Sequence, residues 1–489
     1  MPRLLLCGGN LAEGKKNIAV IGAGPGGYAA AFLAADLGMQ VTLIGREENP
    51  GGICLYVGCI PSKALLHVAA LINESAHAAS WGVDFGKPKI NLDKLREFKS
   101  SVVKKLTGGL GVLGKQRHVN YIRGSARFVD SHTLAVKKQA GDDQRLSFDN
   151  IIIATGSRPS RIPGISIDSP RVLDSTGALD LPDVPKSLLV VGGGYIGLEL
   201  GTVYAALGTK VAVVEMTPGL LPGADRDLVK PLHARVEKMF SAVMLNTKVA
   251  SVTEEKNGIR VRFEGANIKE AEQVFDRVLV SVGRRPNSEI EGLENTAVTK
   301  TQRGFIEVDL QRRTKDPAIY AIGDVAGEPM LAHKASHEGR VAVEAIAGHK
   351  GASFEPRAIP AVVFTDPEIA WCGLTETQAQ GEGRTIKVSR FPWAASGRAV
   401  TLDRPEGMTK LIIDPEDERV LGMGIVGPNA GELISEGVLA VEMSAVVSDL
   451  KLTIHPHPTL SETIMEAAEA YFGQSTHIYR PVSRSSAAD

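Results

Sequence analysis

The stretch Ile18–Gly45, IAVIGAGPGGYAAAFLAADLGMQVTLIG, decides the fold of this chain. An apolar run ends in a G-x-G-x-x-G turn at Gly22, Gly24 and Gly27, with Pro25 placed to open an Ala/Leu-rich helix. Gly38 stops that helix and a second apolar run follows. This order is a β-α-β unit built around a dinucleotide. The first glycine permits the tight turn, the second lets backbone amides approach a pyrophosphate, and the third lets the helix pack on the strand. The helix N-terminus then faces the phosphate charge. Leu188–Glu215, LLVVGGGYIGLELGTVYAALGTKVAVVE, repeats the pattern with Gly192, Gly194 and Gly197; Gly192 against Gly22 and Gly208 against Gly38 both give an offset of 170 residues. One such turn is weak evidence. Two in full strand–helix–strand context at one offset define an α/β protein with two Rossmann-like dinucleotide-binding units.

The second strand of each unit ends where an acid meets the adenosine ribose. In the second copy that acid is Glu215, followed by Met216, Thr217 and Pro218 with no arginine, a pattern that favours NAD over NADP. In the first copy the equivalent residue is Gly45, with Arg46, Glu47 and Glu48 behind it. Gly45-Arg46 suits a 2′-phosphate, Glu47 is near enough to serve the ribose, and the charged residues also read as plain surface; the sequence leaves these open. Further apolar runs end in small-residue turns: Ile151–Ile153 before Ala154-Thr155-Gly156, Val278–Val282 before Gly283, and Ile319–Ile322 before Gly323-Asp324. Beyond about residue 356 the texture changes. Spaced strands (Ala361–Phe364, Thr409–Ile413) and helical segments (Glu432–Met443, Ser461–Phe472) read as a separate α+β domain.

With 489 residues the chain has material for about three domains. Its 43% hydrophobic and 23% charged residues describe a globular chain. A formal net charge of −1 gives no overall field for nucleic acid or an anionic membrane, so neither is an expected partner. No apolar run approaches the roughly 18 residues of a spanning helix, and MPRLLLCGGN has too short an apolar core for a signal peptide. A cytoplasmic protein is expected. Glycine is the outlier, with 52 residues or about 11% against a usual share of about 7%. Four cysteines, Cys7, Cys54, Cys59 and Cys372, are too few to staple a chain of this size.

Gly51–Lys63, GGICLYVGCIPSK, carries two of them five residues apart. A metal site needs further close Cys or His ligands, and His67 alone lies nearby, so no metal is assigned. On an ideal helix, Cα atoms five residues apart lie about 8.6 Å from each other, beyond the roughly 7 Å reach of a disulfide. A bridge therefore requires a distorted backbone, which Gly51, Gly52 and Gly58 are placed to supply. Pro61 suits the first turn of a helix, which puts Cys59 at a helix N-terminus where the dipole and Lys63 favour a thiolate. The alternative is a pair of small buried hydrophobes.

In this context the segment resembles the active-site signature of the pyridine nucleotide–disulfide oxidoreductases, which are FAD homodimers. The resemblance runs along nearly the whole chain. It takes in both nucleotide units, Ala154-Thr155-Gly156, Gly283-Arg284-Arg285-Pro286-Asn287, Ile322-Gly323-Asp324, Met330-Leu331-Ala332-His333 and His457-Pro458-Thr459-Leu460-Ser461-Glu462. Within the family the pattern is most similar to members that oxidise dihydrolipoyl groups with NAD⁺. The implied partners are then the lipoyl domains and acyltransferase core of 2-oxo acid dehydrogenase complexes, which supply the lipoyl group. A reductase of another small disulfide, or a non-catalytic scaffold, would share these motifs.

The resemblance implies that Cys54 attacks the substrate and that Cys59 is the thiol beside the flavin, with Lys63 paired to Glu199 near the flavin ring. It implies tight, non-covalent FAD held by Gly22, Gly24, Pro25, Gly27, Arg46, Gly52, Lys63, Ser125, Ala126, Thr155, Gly156, Asp324, Met330, Leu331, Ala332 and His333. NAD would be held by Gly192, Gly194, Tyr195, Ile196, Gly197, Glu199, Glu215 and Gly283. Tyr195 resembles a tyrosine that gates the nicotinamide pocket in glutathione-type relatives. His457 would be the acid–base, oriented by Glu462 and acting on the disulfide of a second subunit. Independently, Thr459-x-x-Glu462 reads as a helix capping box, and His455 as structural. The implied layout is an N-terminal extension over 1–16, an FAD-binding domain over 17–157 and 285–355, an NAD-binding domain over 158–284, and a dimerisation domain over 356–489.

Overall fold

The computed structural model describes residues 15–479 apart from Asn267 and Lys269; Cys7 and most of the expected N-terminal extension lie outside the described residues. The described residues group into two bodies, one built from 15–61, 100–158 and 284–355, the other from 62–99, 159–283 and 356–479.

In the first body the opening stretch folds as β1 (Asn17–Ile21), α1 (Pro25–Asp36) and β2 (Gln40–Gly45). α1 carries the chain back over the sheet, so β1 and β2 pair in parallel, from Asn17 opposite Gln40 to Ile21 opposite Ile44. Asn150–Ile153 lies on the other side of β1 with Ile319–Ala321 beyond it, and β3 (Asn120–Phe128) lies beside β2, all parallel. Two antiparallel strands complete a seven-stranded sheet. The parallel strands are continuously apolar because both faces are covered; Ile18, Val20, Ile151, Ile152 and Ile153 are fully buried. α1 crosses the helix Ala332–Ile346 at glycines. A Cβ on Gly26 would lie 2.9 Å from the Ala335 carbonyl oxygen, and one on Gly339 2.7 Å from that of Gly26.

In the second body Ser187–Val191, Tyr195–Ala206 and Lys210–Val214 repeat the unit inside a five-stranded parallel sheet. Hydrogen bonds reproduce the offset: the Gly22 amide donates to the Ile44 carbonyl at 2.8 Å and the Gly192 amide to that of Val214 at 2.9 Å. The C-terminal part is an antiparallel sheet of five strands with the helices Ala430–Glu442 and Glu462–Tyr471, around a core that includes Phe391, Trp393, Ile425 and Ile464.

Two features depart from expectation. Gly52–Trp81 is helical, and long and apolar enough to cross a membrane by length and composition, although no such run was counted in the sequence. Gly58, Ser62 and Lys63 punctuate the stretch, so no unbroken apolar run marks it. Gly58 also splits it, into α2 (Gly52–Val57) and α3 (Cys59–His77). Residues 62–99, expected inside the first domain, group with the second body. The reason is that α3 buries Leu65, Leu66 and Ala69 in one cluster with Leu198, Val203 and Val211.

The second body also holds a buried ion cluster that no motif announced. Asp225, Asp227 and Glu376 bring their carboxylates close enough to share a cation, and the Lys410 ammonium is that cation, 2.7 Å from each and 1% exposed. Burial pushes Asp225 and Asp227 up, but the Lys410 ammonium, with the Glu376 and Thr377 amides at Asp225 and Arg390 at Asp227, outweighs it and holds both below the usual carboxylate range. Their contribution to stability is therefore complete above that range and is lost as pH falls through the depressed folded values. Lys410→Met is expected to cost about 3–5 kcal/mol, because it takes the shared ammonium out of a buried cluster. Asp225 then keeps only its hydrogen bonds from Glu376 and Thr377, while Arg390 still holds Asp227 and Glu376. The two aspartates are depressed less in the variant, so it loses less further stability than the wild type as pH falls through the acid range. Urea unfolding at neutral and acid pH checks this; a variant with the wild-type pH slope contradicts it.

Candidate active site

The three glycines of each turn have the surroundings their roles require. Gly22 and Gly192 sit at φ +107° and +106°, which only glycine adopts without strain. A Cβ on Gly27 would lie 1.8 Å from the Gly22 carbonyl oxygen, and one on Gly197 2.4 Å from that of Gly192, so both keep helix against strand. The middle glycines differ: beside Gly24 the nearest protein atom to such a Cβ is 4.0 Å away, and beside Gly194 none lies within 4 Å. That clearance suits a phosphate at helix N-termini that begin with Pro25 and with Tyr195-Ile196. Gly52 (φ +59°) closes on the first turn, where its Cβ would lie 2.5 Å from the Gly24 Cα, and the Gly51 amide donates to the Ala23 carbonyl at 2.8 Å. α1 and α2 therefore both start at the first turn.

At the end of the second unit Glu215 clips its own turn, accepting from the Gly193 amide at 2.7 Å and the Thr217 amide at 2.8 Å. Gly283 takes φ +104°, and its carbonyl accepts from the Ser160 amide at 3.0 Å. In the first body Arg46 is exposed, and its carbonyl accepts from the Arg123 and Gln139 side chains. Ser125 and Ala126 lie on β3, exposed and half-buried respectively. Asn287 joins two motifs. Its carbonyl accepts from the Thr155 hydroxyl at 2.8 Å, its amide donates to the Gly156 carbonyl at 2.9 Å, and its side chain donates to the Thr155 carbonyl at 2.9 Å. Asp324 accepts from the Ser157 hydroxyl at 2.5 Å, which accepts from Arg284 at 2.7 Å. Its neighbour Gly323 donates to the buried Glu338, which also pairs with Arg312 and Lys334. Met330 and Leu331 lead into the helix that Ala332 and His333 open.

Cys54 lies half-buried in α2 and Cys59, exposed, is the first residue of α3. Between them a Cβ on Gly58 would meet the Ile53 carbonyl oxygen at 2.8 Å, so the backbone bends there as the cysteine spacing demands. Tyr28 on α1, which no motif singled out, senses both sulfurs: burial first, and then the charges of Cys54 and Cys59, push its hydroxyl pKa up. Cys372 is buried, which raises its thiol to about 12 and leaves it inert. In the second body Lys63 pairs with Glu199 at 2.8 Å. Glu199 is 3% exposed and its other oxygen accepts from the Phe364 amide at 3.0 Å, while the Lys63 ammonium lies 4.5 Å from the Phe364 ring centre.

The His457 side chain is 75% exposed, with Nδ1 2.8 Å from Glu462 Oε1; Glu462 Oε2 accepts from the Thr459 amide at 2.7 Å. Burial pushes the Glu462 carboxyl up, but the Thr459 amide and His457 outweigh it and hold the carboxyl below its usual range. A carboxylate only accepts, so Nδ1 donates the hydrogen of that bond. The capping box forms only in half. The helix starts at Glu462, and the Thr459 hydroxyl bonds the Pro456 carbonyl and Ser461 instead of a helical amide. His455 spends both ring nitrogens, on Glu436 and on the Thr453 carbonyl, and is structural.

Residues 16–339 match the family model for pyridine nucleotide–disulphide oxidoreductases, and residues 359–468 match that family's dimerisation domain. The chain belongs to this family. A protein of Haemophilus influenzae named dihydrolipoyl dehydrogenase is 50% identical over 466 residues, 95% of this chain and 97% of its own length. One of Geobacillus stearothermophilus with the same name is 48% identical over 460 residues, 94% and 97% of the two chains. Among solved structures, LpdA of Mycobacterium tuberculosis superposes with a TM-score of 0.86 at 28% identity, over 93% of this chain and 99% of that one.

Glu199→Leu is expected to cost about 2–3 kcal/mol, since it strands Lys63 and the Phe364 amide. Adding Lys63→Met should recover part of the loss in a double-mutant cycle followed by thermal unfolding.

Proposed function

We propose that the protein is a homodimeric dihydrolipoyl dehydrogenase that holds FAD at its first nucleotide unit and NAD⁺ at its second, and serves lipoyl domains of 2-oxo acid dehydrogenase complexes. The observation that carries the reading is the cysteine pair set on either side of the Gly58 break, in a helix that begins against the first phosphate turn. The open side of Gly24, the tight approach of Gly52 and the phosphate-facing starts of α1 and α2 fit a flavin dinucleotide. FAD, when bound, supplies two-electron transfer between the cysteines and the nicotinamide.

In the oxidised enzyme Cys54 and Cys59 form a disulfide. A dihydrolipoyl thiolate attacks the Cys54 sulfur, a mixed disulfide forms, the Cys54–Cys59 bond breaks and Cys59 leaves as a thiolate. The second lipoyl thiol attacks the mixed disulfide, closing the lipoyl ring and leaving Cys54 reduced. Nε2 of His457 from a second copy of the chain takes a substrate proton, while Glu462 steadies the ring through Nδ1–H. Cys59, at the N-terminus of α3, keeps its negative charge beside the helix dipole. In sum the substrate loses two electrons and two protons, NAD⁺ gains a hydride, and one proton is released.

Cys54→Ser and Cys59→Ser are each expected to abolish NAD⁺ reduction by dihydrolipoamide, read by NADH absorbance; activity surviving either change contradicts the mechanism. His457→Gln should lower the rate by about 10²–10⁴-fold. Glu462→Gln should fall further than Glu462→Ala. With its carbonyl oxygen held by the Thr459 amide, the glutamine must offer its NH₂ to Nδ1, and this selects the wrong imidazole tautomer.

A further inference from the structure

We propose that Tyr121 stands in for the missing ribose acid of the first nucleotide unit, its hydroxyl accepting a hydrogen bond from the 2′-hydroxyl of the FAD adenosine. The inference rests on FAD occupying that unit. In the second unit the acid at the strand end packs against the residue inside the glycine turn: a Cβ on Gly193 would lie 3.1 Å from the Glu215 Cβ. In the first unit Ala23 holds that place. A Cβ on Gly45 would lie 2.8 Å from the Ala23 Cβ and 2.5 Å from the Tyr121 hydroxyl. The space that an acidic side chain would enter is therefore already filled, by a phenol delivered from the neighbouring strand, where Leu43 of β2 pairs with Tyr121 of β3.

The chemistry of the replacement fits. The Tyr121 hydroxyl donates to the Glu47 carbonyl at 2.8 Å. A hydroxyl has one hydrogen and two lone pairs, so what it has left to offer is acceptance, the role an acid plays at this strand end toward a ribose hydroxyl. Burial first, and then Tyr56 and Glu47, push its pKa up to about 12, so it works as a neutral phenol. The Glu47 bond alone would make Tyr121 an anchor for the segment 46–49. That segment has other anchors: Arg123 and Gln139 hold the Arg46 carbonyl, and the Tyr56 hydroxyl donates to the Asn49 carbonyl at 3.1 Å and accepts from its amide at 3.2 Å. Tyr121→Phe keeps the ring and removes only the hydroxyl, so the segment should hold.

The test titrates flavin-free protein with FAD and with its 2′-deoxyadenosine analogue, following flavin fluorescence. The wild type is expected to prefer FAD by about 10-fold, the worth of one such hydrogen bond. Tyr121→Phe should bind FAD about 10-fold more weakly and no longer distinguish the two flavins. A Tyr121→Phe variant that keeps the preference, or a wild type that binds FAD but shows none, overturns the proposal and leaves Tyr121 an anchor only. A wild type that binds neither flavin overturns the assignment of FAD to the first unit instead.

Discussion

The close backbone approach of Gly24 and Gly52 is the constraint on which the redox half of the molecule depends. With only 2.5 Å between the Gly24 Cα and any Cβ at residue 52, no other residue fits there without opening the turn. The approach brings the N-termini of α1 and α2 to one phosphate turn. It also places Cys54 two residues into α2, beside the helix that carries Tyr28. Gly58 then breaks the helix and lets α3 restart at Cys59. Three glycines thus fix where the cysteines stand relative to the nucleotide turn, and the excess of glycine in the composition is partly explained by them.

The two nucleotide units share their offset, their strand register and their turn hydrogen bonds, yet they diverge at the strand end. The difference lies in what fills the space beside the strand end. Next to Gly193 the Glu215 side chain folds back and accepts from the turn's own amide, whereas at Gly45 the Ala23 methyl and the Tyr121 hydroxyl occupy the equivalent room. The polar group at this place comes from the strand itself in one unit and from the adjacent strand in the other.

This also marks how far the sequence was legible. Turns, strands and helix starts were readable because their signals are local, with glycines at fixed spacing, apolar runs and Pro61 near the start of α3. Interactions across long separations were not. Lys63 and Glu199 were paired only through family resemblance, and nothing pointed to Phe364, which completes that pair. Tyr121 lies 76 positions from Gly45, and a glycine where an acid belongs says that something is missing without saying what replaces it. Lys410 lies in an apolar strand with no local signal for a partner, and its three carboxylates arrive from two other segments.

The C-terminal histidine shows why a structural and a functional reading of one residue need not compete. Glu462 has two oxygens and two partners. One accepts the Thr459 amide just ahead of the helix, as in half a capping box, and the other accepts Nδ1–H of His457. The amide bond fixes the carboxylate against the helix start, and a fixed, ionised carboxylate admits one imidazole tautomer. The His457 ring is thus oriented by the same carboxylate that meets the start of the helix. His455 differs: both its ring nitrogens are engaged, one by the Thr453 carbonyl and one by Glu436, whereas the His457 side chain is largely exposed beyond its single bond to Glu462.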